Sequence, residues 1–274
     1  ITVHEVLGSM WKKMEMSGVS SIVHRFLERL IFTISFTRYI CVSRYTKSNL
    51  SAIGVSDGKI ETVYNGVDEE LFKITGSDLP GLRESLGLSE DDFIFLYYGR
   101  PGVTKGVETL VRAFHGVAAK DSRAKLLLLL TRSPYKRYER IIELVHQSPA
   151  RESVVKVDPV SRLHLADIVA VSDCVVVPSI TEGFGFSAAE AAAAGKPIVA
   201  SRTSSLPEVA SGKVVWVEPG DTDSLGEGLK KAINGDFEDI PAKRFTWREM
   251  IDRTLGVYTT MANGGGGPES QLSP

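Results

Sequence analysis

The residues best suited to chemistry lie between Pro178 and Ser201, in the stretch PSITEGFGFSAAEAAAAGKPIVAS. Glu182 ends an apolar run, a loop of Gly183, Phe184 and Gly185 leads through Phe186 to Ser187, and Glu190 falls in the first turn of a small-residue helix. Backbone N–H groups of Gly183 to Ser187 approach that helix N-terminus, where backbone dipoles bind anionic oxygens. The glycines let a ligand come close to the main chain. Two carboxylates beside an anion site need separate tasks: one suits a ring on which positive charge develops, the other accepts both hydroxyls of a ribose. Each acid also has a plain structural reading. Ser187-Ala188-Ala189-Glu190 has capping-box spacing, with Ser187 as N-cap and Glu190 at N3, and Glu182 also reads as a solvated loop acid.

A second group occupies YYGRPGVTKG at 97–106, where Arg100 and Lys105 share a strand-to-helix loop with Gly99, Gly102 and Gly106. Two cations and a helix N-terminus meet the need of a diphosphate leaving group, whose charge grows as its C–O bond breaks. Taken alone, the loop reads as a solvated basic turn. It lacks the G-x-x-x-x-G-K-[ST] spacing of a Walker loop, and GFGFSA lacks the last glycine of G-x-G-x-x-G. Asp221-Thr222-Asp223 resembles a metal-binding Asp-x-Asp, but it sits where a turn enters a helix, with Asp223 or Ser224 as N-cap. No His/Cys cluster has ligand spacing, so neither a structural metal nor a cofactor is expected. His24, His115, His146 and His164 fall in helical stretches and need no special role.

The elements that must hold these loops alternate from Asp92 onward. Strand-like runs at 93–99, 124–130, 154–157, 174–179, 196–201 and 214–219 are separated by helical stretches near 107–120, 136–147, 162–171, 187–194 and 206–211, and a last helix begins near Asp223. Apolar runs such as Ala124 to Leu130 suit strands buried on both faces, and the alternation predicts an α/β fold with a parallel sheet covered on both sides. Ligands of such sheets bind beyond the carboxyl ends of the strands. The loops at 99–106, 131–135, 158–161 and 179–186 are therefore expected along one rim. The first sixty residues hold only a strand at ITVHE, an apolar helix-compatible stretch from Val23 to Phe36 and a strand at YICVS. Two strands and a helix do not close a doubly wound domain, and the chain opens at Ile1 without an initiator Met, so a truncated first domain is expected.

Composition excludes some partners. With 43% hydrophobic and 24% charged residues and a net charge of −2 over 274 residues, nothing favours binding of the whole chain to nucleic acid. Basic residues do cluster locally: Lys12, Lys13, Arg25, Arg29, Arg38, Arg44 and Lys47 face only Glu15 and Glu28. With the apolar LIFTISF stretch, this cluster reads first as a core helix with basic flanks, the alternative being peripheral contact with anionic lipid. No run reaches the length of a membrane span and no signal peptide is visible. Cys41 and Cys174 sit in strand-like apolar runs, as buried reduced thiols do, which agrees with a cytoplasmic chain.

In order along the chain, these segments resemble the family-4 retaining glycosyltransferases. EGFGFSAAE carries an E-x7-E pair, Glu182 and Glu190; GRPGVTKG is similar to the family's G-R…K-G loop; VYNGVDEELF at 63–72 is similar to its N-G-V-D…F entry to the second domain. CVSRYTKSNL and FTWREMIDRTLGVY resemble the end of the first domain and the terminal helix that returns to it. The resemblance covers residues 1–262. It implies the GT-B fold, with a remnant of an N-terminal Rossmann-like domain at 1–60, a nearly complete nucleotide-sugar-binding Rossmann-like domain at 61–242, a returning helix at 243–262 and a disordered tail at 263–274.

The resemblance also implies roles. Arg100 and Lys105 hold the donor diphosphate, Glu190 binds the ribose hydroxyls, and the backbone of Gly183, Phe184, Gly185, Phe186 and Ser187 meets phosphates and sugar. Glu182 stabilises the transition state beside the donor sugar, and His4 faces that sugar. Val160 lies where the family's backbone meets the base. There DPV replaces the usual GxV, and TRSPYKR replaces a glycine-rich turn after Leu130, so the base stays open between UDP and GDP. The implied reaction is hexosyl transfer to a glycan or lipid-linked acceptor, by front-face attack without covalent intermediate or obligatory metal, at the inner face of the membrane if lipid-linked. A nucleotide-sugar epimerase of similar fold and a non-catalytic nucleotide-sugar-binding fragment are the alternatives. Since acceptor recognition belongs mostly to the first domain, the chain alone is expected to bind donor yet transfer nothing.

Overall fold

The computed structural model describes residues 1–13, 18–34, 36–73 and 78–264. The chain forms two compact units, one made of Ile1–Gly66 and the chain from Phe245 onward, the other of Val67–Arg244.

In the first unit, β1 (Thr2–Val3), α1 (Gly18–Thr33), β2 (Tyr39–Cys41), α2 (Arg44–Ala52) and β3 (Ile60–Thr62) follow in order. The three strands form one parallel sheet in the order β1-β2-β3. The strand expected over ITVHE is only two residues long, because the chain leaves the sheet at His4 and pairing with β2 ends at Val3. Val3, Val6, Tyr39, Cys41, Leu50 and Ile60 make a small core. Ser43 caps α2, its hydroxyl accepting from the Thr46 N–H, which satisfies a donor the helix itself leaves unpaired. Because β3 pairs with β2, residues up to Gly66 stay with this unit, several beyond the expected border at 61.

The second unit begins with the short helices α3 (Glu69–Lys73) and α4 (Leu79–Ser85). Then come β4 (Phe93–Gly99), α5 (Val107–Ala118), β5 (Ala124–Leu130), α6 (Tyr135–Gln147), β6 (Val154–Val157), α7 (Arg162–Val171) and β7 (Cys174–Val177). The chain continues through α8 (Phe186–Ala193), β8 (Ile198–Ser201), α9 (Leu206–Val209), β9 (Gly212–Val217), α10 (Thr222–Ile233) and β10 (Glu238–Ile240). Its sheet has the order β10-β9-β8-β7-β4-β5-β6. Every pair is parallel except the edge strand β10, which runs antiparallel to β9. Strand order thus reverses between β4 and β7, the doubly wound arrangement whose ligand crevice opens at that reversal.

Alternation along the strands assigns the two faces. Phe95, Tyr97, Leu126, Leu128 and Leu130 join residues of α5, α6 and α10 in the main core, so Leu96, Tyr98, Leu127 and Leu129 point to the opposite face. Alanines 188, 189 and 191 are buried there, small enough for α8 to lie close against β7 and β8. Burying each large side chain contributes about 1.5–3 kcal/mol, and Leu126, Leu127, Leu128 and Leu130 are almost wholly enclosed. Asp221 caps α10, accepting from the Asp223 and Ser224 N–H groups; the cap is thus not Asp223 or Ser224, because the turn closes two residues earlier.

The last helix, α11 (Trp247–Gly264), belongs to the first unit, where Arg253 pairs with Glu61 at 3.2 Å. It extends past 262 through Gly264 because its backbone stays helical across Asn263, and the tail expected to be disordered falls, from 265, outside the described residues. Cys41 and Cys174 are both buried free thiols. Burial pushes the Cys41 thiol up to about 12 and raises the Cys174 thiol as well, so neither is a ready nucleophile.

Candidate active site

Two strand-to-helix loops flank the reversal point, one after β4 and one after β7. They are held together by their own backbones: the N–H groups of Ile180 and Thr181 both donate to the Thr104 carbonyl, at 2.7 and 3.5 Å. Gly106 makes this approach feasible. It has φ +67°, and a Cβ there would stand 1.9 Å from the Pro178 carbonyl oxygen. Lys105 is thereby placed against Glu182, its Nζ donating to both carboxylate oxygens at 2.7 and 2.8 Å. An ammonium has three N–H donors, so one remains for an anion.

Glu182 is held on several sides. The Ser179 hydroxyl donates to its Oε1 at 2.8 Å, and its own N–H donates to the Ser204 hydroxyl at 2.8 Å. Ser204 is in the left-handed region at φ +48° without being glycine, a conformation that costs about 1–3 kcal/mol and persists where the surroundings enforce it. Ser205 donates to the Glu182 and Phe184 carbonyls. Three serines therefore fix the loop that presents Glu182, and no sequence motif marks them.

Glu190 occupies a different environment. The helix α8 begins at Phe186 after Gly185, which has φ +98°, so Ser187 lies inside the first turn and Glu190 beyond it. The capping-box reading is thus corrected: an αL glycine begins the helix, and the Glu190 carboxylate turns into the protein instead of back to its N-terminus. It is 4% exposed. Its Oε2 accepts from the Tyr98 hydroxyl at 3.0 Å and its Oε1 from Arg162 Nη2 at 3.1 Å. Burial raises its pKa, against the lowering effects of Arg162 and Tyr98. The Tyr98 phenol rises well above its ordinary value through burial and the neighbouring Glu190 charge, and so stays a donor. Tyr98 follows Tyr97, which faces the main core, and so points to the opposite sheet face, where α8 packs.

The other expected residues stand as follows. Arg100 is exposed on the β4–α5 loop and, among the described residues, makes no side-chain hydrogen bond or ion pair; its carbonyl accepts from the Tyr97 hydroxyl at 3.1 Å. Gly183, Phe184, Gly185, Phe186 and Ser187 lead into α8, with Phe184 buried, Phe186 half exposed and their rings edge to face. Val160 is exposed between β6 and α7. His4 is exposed after β1 in the first unit. Among the described residues no three His, Cys, Asp or Glu side chains converge as a metal site, and no helix is long and apolar enough to cross a membrane.

The family described as "Glycosyl transferases group 1" matches residues 80–246, and "Glycosyltransferase Family 4" matches residues 1–71. An uncharacterized glycosyltransferase of Methanocaldococcus jannaschii is 29% identical over 241 residues, covering 82% of this chain and 60% of that protein. D-inositol 3-phosphate glycosyltransferase 2 of Catenulispora acidiphila is 32% identical over 222 residues, covering 75% of this chain and 52% of that protein. The chain thus spans between half and three fifths of the length of these relatives. Anabaena HepE, solved in complex with UDP-glucose, matches with a TM-score of 0.77 at 18% identity, covering 96% of this chain and 71% of its own. That likeness shows the GT-B fold. With a family match across residues 80–246 and a second across 1–71, the chain belongs to the group 1, family-4-like glycosyl transferases.

Proposed function

We propose that this chain carries the donor site of a retaining glycosyltransferase that moves a hexose from a UDP- or GDP-sugar to a glycan or lipid-linked acceptor. One observation carries the proposal: the two loops at the strand-order reversal bring Lys105 onto Glu182, with Arg100 on the same loop as Lys105 and buried Glu190 at the start of the next helix. Arg100, the remaining N–H of Lys105 and the amides entering α8 would hold the diphosphate, and Glu190 the ribose hydroxyls. As the anomeric C–O bond breaks, the electron pair stays on the diphosphate, where the cations offset it. The acceptor oxygen bonds to the anomeric carbon on the same face, and its proton passes to the departing diphosphate oxygen. Glu182, paired with Lys105, gains free negative charge when Lys105 turns toward phosphate, as the ring becomes cationic. HepE, which was solved with UDP-glucose bound, supports a nucleotide-sugar donor.

Product analysis with the full-length protein, labelled donors and candidate acceptors tests this. A labelled glycoside with the donor's anomeric configuration is the expected product; an inverted glycoside would overturn the retaining mechanism, and a free epimerised nucleotide sugar would replace transfer by epimerisation.

Peripheral membrane contact has its own support. Along α1, Val19, Ile22, Val23, Phe26, Leu27, Leu30 and Ile31 are all 46–75% exposed at helical spacing. Sedimentation with anionic vesicles at low salt should carry the protein down, and a Phe26→Glu, Leu30→Glu double variant should stay in solution. Wild-type protein remaining in the supernatant would remove this contact.

A further inference from the structure

Both carboxylate oxygens of Glu190 are already occupied, and the two partners differ in kind. Tyr98, on Oε2, is buried within the unit, whereas the Arg162 side chain, on Oε1, is 62% exposed. A diol approaching Glu190 from solvent therefore meets Arg162 first. Arg162 is also the first residue of α7, where a cation opposes the helix dipole. Its guanidinium lies 5.9 Å from the centre of the Phe72 ring, close enough for cation–π attraction. The ring is thus in reach of the guanidinium while it still pairs with Glu190.

We propose that Arg162 is a positioning residue that covers the outer oxygen of Glu190 until nucleotide binds and then yields it to the ribose hydroxyls, so tuning how strongly ribose is recognised. It rests on the assignment of Glu190 as the ribose acceptor. No bond is made or broken; one charge-assisted hydrogen bond is exchanged for those of the diol. The groups around Glu190 are few. Arg162 comes from α7 and the Tyr98 hydroxyl from β4, while α3, packed against α7 and α8, brings Phe72. The charges on α3 are engaged elsewhere, Glu69 with Arg244 and Glu70 with Lys73.

The test is calorimetric titration of the whole chain with UDP and GDP and with the 2′,3′-dideoxy form of whichever binds, across pH. Arg162→Ala should fold, since the Ser161 cap that starts α7 is kept. At pH 8 it is expected to bind the ribonucleotide about three- to tenfold more tightly, because a charge-assisted bond no longer has to be displaced. Its dideoxy affinity should stay unchanged. The acid limb of its binding profile should move to higher pH, because the lowering influence of Arg162 on the Glu190 carboxyl is gone; Arg162→Lys should restore the limb. An unmoved limb with an unchanged ratio of ribo to dideoxy affinity would overturn the proposal, and so would an equal loss of both nucleotides. If wild-type protein does not distinguish the ribonucleotide from its dideoxy form, the assignment of Glu190 has itself failed, and that result is visible without any variant.

Discussion

Glu190 contributes to binding at some cost in stability, whereas Lys105 contributes to both. The Glu190 carboxyl is held above its ordinary value by burial, so the folded chain takes up its proton more readily than the unfolded chain does. Its contribution to stability is then favourable below the unfolded pKa and declines as pH rises through the folded one. Glu190→Gln is therefore expected to melt at the same or a slightly higher temperature than wild type at pH 8 while losing nucleotide affinity at least about tenfold; a large drop in melting temperature would contradict the assignment. Lys105→Ala acts the other way. It strands the Glu182 carboxylate, whose side chain is 12% exposed, and should cost about 1–3 kcal/mol in chemical denaturation, less than a fully buried pair because Lys105 is partly solvated. At this scale the sequence was informative about residue types and silent about partners. The spacing of Glu182 and Glu190 marks two acids, yet the pairing of one with Lys105 and the other with Arg162 depends on segments far apart in the chain.

Among the elements, the glycine-marked loops matter more than the strands they join. Gly106→Ala would combine a left-handed backbone with a clash against the Pro178 carbonyl and should lower stability by about 2 kcal/mol or more, read as a shifted denaturation midpoint. A midpoint within error of wild type would show that the two loops do not need their close approach. The strands were the legible part. Apolar runs located β4 to β9 to within a few residues because a strand buried on both faces has little choice of composition. The polar edge strand Glu238–Ile240 left no such trace, since β10 has no apolar run and is defined only by antiparallel pairing with β9. Ser204 and Ser205 are illegible for a related reason: serines in a loop carry no pattern until the fold brings Glu182 to them.

For the molecule as a whole, Arg100, Lys105, Glu182 and Glu190 all belong to the unit Val67–Arg244. Hydrogen exchange with saturating nucleotide should therefore slow most in residues 99–106 and 178–190 and leave the sheet of the first unit unchanged. Protection centred on 1–66 would place the nucleotide elsewhere. The alternation of strand and helix announced a parallel sheet, but the strand order, and with it the reversal between β4 and β7, came only from the structure. The loops at this reversal are proposed to form the donor site. Calorimetric titration of the chain with UDP and GDP, beside Glu190→Ala and an Arg100→Ala, Lys105→Ala double variant, tests it most directly. One nucleotide should bind, and both variants should weaken it by about tenfold or more. Wild-type affinity retained in both variants, or no binding of either nucleotide by folded protein, would contradict it.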